Sequence, residues 1–196
     1  MRLMVLFLLF FSSAMAQAGY YELGLSGNYR KIYLPTSTGE ARESFDETVS
    51  YSASIAYYFA EMAALELSYT RGQSERFVPS ETADSLTTYF FSLVGMDLIF
   101  TFAKRQDPFV PYIKIGGAYF VEKYVDYEFT NHVGTSPAPQ RVKLDPTFVP
   151  SLGLGLKLRL TDTMAFKIGA EAWTSDALGR TTRWDWAGRA GVSWFF

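Results

Sequence analysis

The stretch Phe148-Val149-Pro150-Ser151-Leu152-Gly153-Leu154-Gly155-Leu156-Lys157-Leu158-Arg159-Leu160 alternates without a break. Successive side chains of an extended chain point to opposite faces, so Phe148, Pro150, Leu152, Leu154, Leu156, Leu158 and Leu160 share one side. Val149, Ser151, Gly153, Gly155, Lys157 and Arg159 share the other. One side is oil; the other is small, polar or charged. The run is somewhat longer than the roughly 9–11 residues that a tilted strand needs to cross a bilayer. It predicts a wall between lipid and a polar lumen.

The same period recurs along the chain and predicts eight strands, near 19–33, 48–60, 63–71, 86–102, 109–124, 148–160, 163–174 and 183–196. The fourth alternates clearly only in its second half, where Met96, Leu98 and Phe100 oppose Gly95, Asp97 and Thr101. Between the second and third strands, the short Glu61-Met62-Ala63 turn is expected to pair Phe59 with Leu65 and Tyr58 with Glu66. The fold expected is all-β: an eight-stranded antiparallel up-and-down transmembrane β-barrel.

Connections of alternating length orient it. Those at 61–62, 104–108 and 161–162 are tight, 34–47, 72–85 and 125–146 are read as long loops, and 175–181 is intermediate. Membrane barrels keep short turns inside and longer loops outside. Aromatic residues gather near strand ends, as interface girdles require: Tyr57, Phe59, Phe100, Phe102, Trp194 and Phe196 at the inner rim, and Tyr29, Tyr69, Tyr119, Trp184 and Trp186 nearer the outer. Turned inside out, the same pattern would give a soluble calyx with leucines in its core. The many Gly, Ser and Ala residues on the polar face favour the narrow interior of a small membrane barrel.

Composition agrees. Aromatic residues make up 17% of the chain and no long apolar run occurs in its body, which favours short strands over helices. A net charge of -2 supplies no basic field for nucleic acid. The apolar run from Leu3 to Phe11, behind Arg2 and ahead of small residues, reads as a signal peptide over residues 1–18, cleaved after Ala16 or Ala18. The barrel domain is then 19–196, exported to the cell outer membrane. With no cysteine, neither disulfides nor a Cys-bound metal can hold the exported chain together. A closed hydrogen-bonded barrel can, because every backbone group finds a partner.

The start Gly19-Tyr20-Tyr21, the segment Pro111-Tyr112-Ile113-Lys114-Ile115-Gly116-Gly117-Ala118-Tyr119 and the terminal Phe196 carry a resemblance. The chain resembles the eight-stranded outer-membrane barrel superfamily that includes the OmpA-type transmembrane domain, the OmpW family and neisserial opacity proteins. The resemblance implies an assembly signal at Val192, Trp194 and Phe196, read by the barrel assembly machinery. It is architectural and says little about function. The wall-anchoring role of full-length OmpA-type proteins is not expected to carry over.

The polar faces place both signs of charge in the lumen: Glu22, Glu66, Asp97, Glu122, Glu171 and Asp185 against Arg30, Lys114, Lys157, Arg159, Lys167 and Arg189. Buried charge is costly unless paired, so these residues are expected to form either a plug of salt bridges or a gate whose pairs exchange partners. The sixth and seventh strands set Lys157 opposite Lys167, a contact needing carboxylates from elsewhere, with Glu66, Asp97 and Glu171 as candidates.

Function stays open between two classes. One is a structural outer-membrane protein or a narrow channel for small or hydrophobic solutes, which the OmpW-like resemblance implies. The other is an adhesin or receptor-binding protein acting through extracellular loops, such as the acidic stretch from Glu40 to Glu47 or the third loop with Phe129 and His132. A lipid-modifying enzyme would need a base beside a nucleophile, and His132 is the only histidine. No catalytic residue, cofactor or metal site is therefore expected, and Gly153-x-Gly155 reads as close lumen packing. The partners expected are outer-membrane lipid and lipopolysaccharide, the assembly machinery and an extracellular ligand at the loops, for a monomer.

Overall fold

The computed structural model describes residues 19–34, 43–80, 82–131, 138–175 and 183–196, with the side chains of Ser175, Arg183 and Asp185 left aside. Its strands are β1 (Tyr20–Leu34), β2 (Ser44–Ala60), β3 (Ala63–Val78), β4 (Ala83–Thr101), β5 (Phe109–Asn131), β6 (Gln140–Lys143), β7 (Phe148–Arg159), β8 (Met164–Ser175) and β9 (Arg183–Phe195). All pair antiparallel, in the order β4-β3-β2-β1-β9-β8-β7-β5, and β4 pairs with β5 to close the ring. Eight strands thus form a closed barrel, and the short β6 is an appendage on the far end of β5. Closure leaves the barrel wall no open edge. The two ends of the wall meet where Tyr21 and Phe196 exchange backbone hydrogen bonds of 3.1 and 2.9 Å.

The faces settle the choice between membrane and soluble barrel. Leu25, Leu154 and Met96 are 55, 52 and 56% exposed, whereas Glu22, Glu66 and Lys157 are 1, 2 and 3% exposed. Oil outside and charge inside is the reverse of a soluble calyx, and only lipid makes it favourable.

The tight connections at 61–62, 102–108 and 160–163 all lie at the end that carries Tyr20 and Phe196. At the opposite end the strands run further than their alternation suggests. Much of what reads as long loop is strand: β2 starts at Ser44, β3 reaches Val78, β4 begins at Ala83, and β5 reaches Asn131 before β6 folds back on it. At about 3.3 Å per residue, the 19 residues of β4 and 23 of β5 exceed what a bilayer requires.

Two registers differ from expectation. An irregularity between Tyr58 and Ala60 pairs Tyr57 with Leu65 and Ala56 with Glu66, not Phe59 with Leu65 or Tyr58 with Glu66. Relative to the expected pairs the register moves by two residues, so the faces keep their sense. The second change is larger. Ser92 pairs with Glu122 and Leu93 with Phe120, so Val121 is an extra residue on β5. A bulge of this kind reverses the alternation beyond it. Phe120 and Lys123 both turn into the lumen, and Glu122 turns out.

Candidate functional site

The lumen is built from the inward positions of all eight barrel strands, and its middle is a continuous chain of ion pairs. The Glu22 carboxylate of β1 meets Lys157 of β7 at 2.6 Å through one oxygen and Lys167 of β8 at 2.6 Å through the other. Lys167 also lies 3.7 Å from Glu66 of β3, and Glu66 lies 3.5 Å from Lys114 of β5. Lys114 continues to Asp97 of β4 at 3.3 Å and to Glu171 of β8, which in turn pairs with Arg189 of β9. Four carboxylates therefore alternate with four cations in this chain. The assembly is neutral as a whole.

Strand β2 adds hydroxyls. Tyr58 donates to Glu22 at 2.6 Å, and Ser54 donates to Glu66 at 3.2 Å. Ser151 of β7 donates to Asp97 at 2.6 Å. Above these, Asn28 donates to Ser50 at 3.0 Å, and Ser52 and Thr70 share a 2.6 Å hydrogen bond. Such partners are what make buried charge tolerable. Glycine makes the room: a Cβ on Gly153 would stand 2.7 Å from the Lys114 stem. Gly153-x-Gly155 is packing, as its place on a lumen face suggests.

Cavities divide along the axis. Toward the short-turn end, Arg105 stacks over Tyr20 at 4.7 Å and over Phe195 at 5.5 Å, roofing a space of about 20 Å³. Just beyond the ion chain lies a space of about 40 Å³ beside Asp97, Lys114 and Arg189. Toward the long-strand end it widens to a vestibule of about 170 Å³. There Arg30 and Arg76 each reach the Asp46 carboxylate at 2.8 Å.

A family model described as "Outer membrane protein beta-barrel domain" matches residues 3–194. The chain belongs to this family. The short turns of this outer-membrane barrel therefore face the periplasm and the vestibule opens toward the cell exterior. It is similar in structure to the N-terminal barrel domain of OprF from Pseudomonas aeruginosa: 18% identity, TM-score 0.55, covering 91% of this chain and 99% of the other. OprG of Pseudomonas aeruginosa is similar at 14% identity and TM-score 0.55, covering 93% and 98% of the two chains. Neisserial surface protein A is similar at 13% identity and TM-score 0.52, covering 90% and 97%. At these identities the likeness is one of fold. No curated protein sequence matches the chain.

The barrel brings together Glu22, Glu66, Asp97, Lys114, Lys157, Lys167, Glu171 and Arg189, but not every charge expected in the lumen. Glu122 is exposed on the outer face because of the bulge at Val121. Arg159 sits at the periplasmic mouth, donating to the Gln106 carbonyl at 2.7 Å and pairing with Asp162 of the adjacent turn. Arg30 belongs to the vestibule, apart from the chain. Asp185 pairs with Trp173 along the backbone, and its side chain lies outside those described. The carboxylate between Lys157 and Lys167 is Glu22 first, with Glu66 second; Asp97 and Glu171 serve Lys114 instead.

The acidic stretch is likewise no simple loop. Asp46 points inward on β2, and Glu47 meets Lys31 at 3.3 Å. Glu40, Arg42 and His132 lie outside the described residues, as do residues 1–18, where a leader is expected. Val192, Trp194 and Phe196 take the outward positions of the last strand, Phe196 being largely exposed.

Proposed function

We propose that this outer-membrane barrel is a structural wall protein whose lumen is closed at rest, with its outer end available to extracellular ligands. The unbroken ion chain from Lys157 to Arg189 carries this reading: four carboxylates and four cations are linked across the lumen between the vestibule and the periplasmic mouth. A small ion crossing it would have to displace several charge-assisted contacts in a poorly hydrated space. Refolded protein in planar bilayers is expected to be electrically silent, and steady open-channel current would overturn the reading.

A second reading, a gate for small solutes, draws on Lys114. Its ammonium has Glu66, Asp97 and Glu171 all within ion-pair distance, so it can exchange partners without moving far. Brief, rare openings in the same recordings would distinguish it. Under either reading residues 1–18 act as a cleaved leader and Val192, Trp194 and Phe196 as the signal for the assembly machinery. Sequencing of the N terminus from outer-membrane fractions checks the leader.

A further inference from the structure

We infer that the outer wall of the barrel carries a binding site for the phosphorylated sugar headgroup of an outer-leaflet glycolipid of the lipopolysaccharide class. The site is on the lipid side and does not rest on the closed lumen. A groove of about 240 Å³ runs across the outer ends of β3, β4, β5 and β6, with Arg71, Phe90, Ser92, Glu122, Tyr124 and Arg141 in its lining. Register sets these residues side by side: Arg71 opposes Ser92, Ser92 opposes Glu122, and Phe90 opposes Tyr124. The groove stands one step above the lipid belt. Tyr69 precedes Arg71 on the outward face of β3, Val94 follows Ser92 on β4, and Tyr119 and Val121 end the apolar wall of β5, all four being exposed.

Charges on a lipid-facing wall are costly among acyl chains and favourable at the level of the headgroups. Arg71 is exposed and has no ion-pair or hydrogen-bond partner among the described residues. Lys143, in register with Tyr124 on β6, has none either. Arg141 is held in place by Asp126, with its guanidinium 5.9 Å from the Phe90 ring centre. That contact uses Nε and one terminal nitrogen, and the other terminal nitrogen faces no partner among the described residues. Two unpaired cations and a guanidinium with donors to spare suit a phosphate, which arginine binds through paired hydrogen bonds.

The other groups suit a sugar. Ser92 is the most buried of these side chains, at 4% exposure, and its hydroxyl has no hydrogen-bond partner among the described residues. A buried hydroxyl left unpaired is costly, and a ligand hydroxyl would satisfy it. Glu122, exposed and likewise unpaired, accepts from sugar hydroxyls, while the paired Phe90 and Tyr124 offer apolar surface to the C–H face of a ring. The bulge at Val121 makes this arrangement, because strict alternation would turn Glu122 into the lumen. A bare anion would be repelled by Glu122, and a neutral sugar would leave Arg71 and Lys143 unmatched. A phosphate joined to a sugar uses all of them, and a glycolipid anchored in the outer leaflet presents that pair at this height.

The test is an amide NMR titration of the refolded barrel in detergent micelles with deep-rough lipopolysaccharide. Its enzymatically dephosphorylated form, phosphatidylglycerol and inorganic phosphate serve as comparison ligands. Intact lipopolysaccharide is expected to shift the amides of Ser92, Glu122 and Tyr124 saturably, at least about tenfold more tightly than the dephosphorylated form or phosphatidylglycerol. Inorganic phosphate should give no saturable shift there. Arg71→Gln should weaken intact lipopolysaccharide by about tenfold and leave the dephosphorylated form unchanged, whereas Glu122→Gln should weaken both. Both side chains are exposed, so neither change touches the packed interior, and the amide spectrum of each free variant checks its fold. Equal affinity for the intact and dephosphorylated forms, equal affinity for phosphatidylglycerol, saturable binding of inorganic phosphate, shifts confined to residues outside the groove, or unaltered binding in Arg71→Gln would overturn the inference.

Discussion

Lys157 and Lys167 stand directly opposite each other on β7 and β8, and the Glu22 carboxylate lies between them, 2.6 Å from each ammonium. Two like charges at paired positions of a sheet repel unless a third group neutralises them. Here that group comes from β1, two strands away from β8 around the ring. The contact ties the first strand to the last hairpins through side chains as well as through backbone hydrogen bonds.

Replacing Glu22 by Gln removes the charge and leaves two buried ammonium groups facing each other. Removal of one partner from a buried ion pair costs about 3–5 kcal/mol. Glu22→Gln is expected to lose stability of that order in urea unfolding from detergent or lipid. Adding Lys157→Met should cost no more, because it removes one of the stranded charges. Wild-type stability for Glu22→Gln would contradict the bridging role.

Lys167→Glu reverses the same node and sets a new carboxylate beside Glu22 and Glu66. The expected outcome is a lower temperature for loss of the compact electrophoretic form, or current in planar bilayers where the wild type shows none. No change in either would mean the ion chain is not an organised unit.

Period-two alternation made most of this architecture legible. It is a local property, so the run from Phe148 to Leu160 could be assigned its faces without knowing its neighbours. Eight strands, their order of faces and most lumen charges follow from it. What alternation cannot carry is a change of phase. Val121 looks like one more outward residue after Tyr119, and only its lack of a partner on β4 identifies it as a bulge. Alternation alone therefore places Glu122 on the wrong side.

Pairing was legible only between sequence neighbours. The Lys157–Lys167 contact follows from one tight turn, but the carboxylate that resolves it is 135 residues from Lys157 along the chain. That distance depends on barrel closure and stagger, which no single strand encodes. The outer extensions of β3 to β5 and the short β6 look like loop in the sequence because polar residues above the membrane belt face water on one or both sides and blur the period. Asp46, an apparent loop acid, is a vestibule anchor for the same reason.

The outward run on β1 passes from Tyr21 through Leu23 and Leu25 to Gly27 and Tyr29, with aromatic residues at its ends and Leu25 at its centre. Arg at a lipid-facing midplane position costs roughly 2–4 kcal/mol, falling to about 0–1 kcal/mol near the interface. Leu25→Arg is expected to fall in the first range and Tyr33→Arg, beyond the belt, in the second. Equal costs at the two positions would misplace the membrane.

Asp126 and Arg141 clip β6 to β5 through two hydrogen bonds, of 2.7 and 2.5 Å. The hydrogen bonds from Arg141 hold the Asp126 carboxyl below its usual range. A carboxyl whose folded-state pKa is lowered contributes stability above its unfolded value, near 3.9 for aspartate, and loses it as pH falls through the folded one. The Arg141 Nε–H signal in NMR should therefore persist in its bonded position down to about pH 4 and shift only below that. Asp126→Asn should abolish this pH dependence. A transition above the ordinary aspartate range would contradict the clip.

Heteronuclear NMR of the lysine ammonium groups, on the refolded barrel in nanodiscs, reads the closed lumen itself. Ammonium hydrogens in contact with water exchange too fast to be seen, whereas those held between carboxylates in a dry interior persist. The expected spectrum shows slowly exchanging signals from Lys114, Lys157 and Lys167, and Glu22→Gln removes or shifts those of Lys157 and Lys167 while sparing Lys114. Rapid exchange at all three lysines in the wild type would mean a wet, open lumen and would contradict the ion chain as a plug.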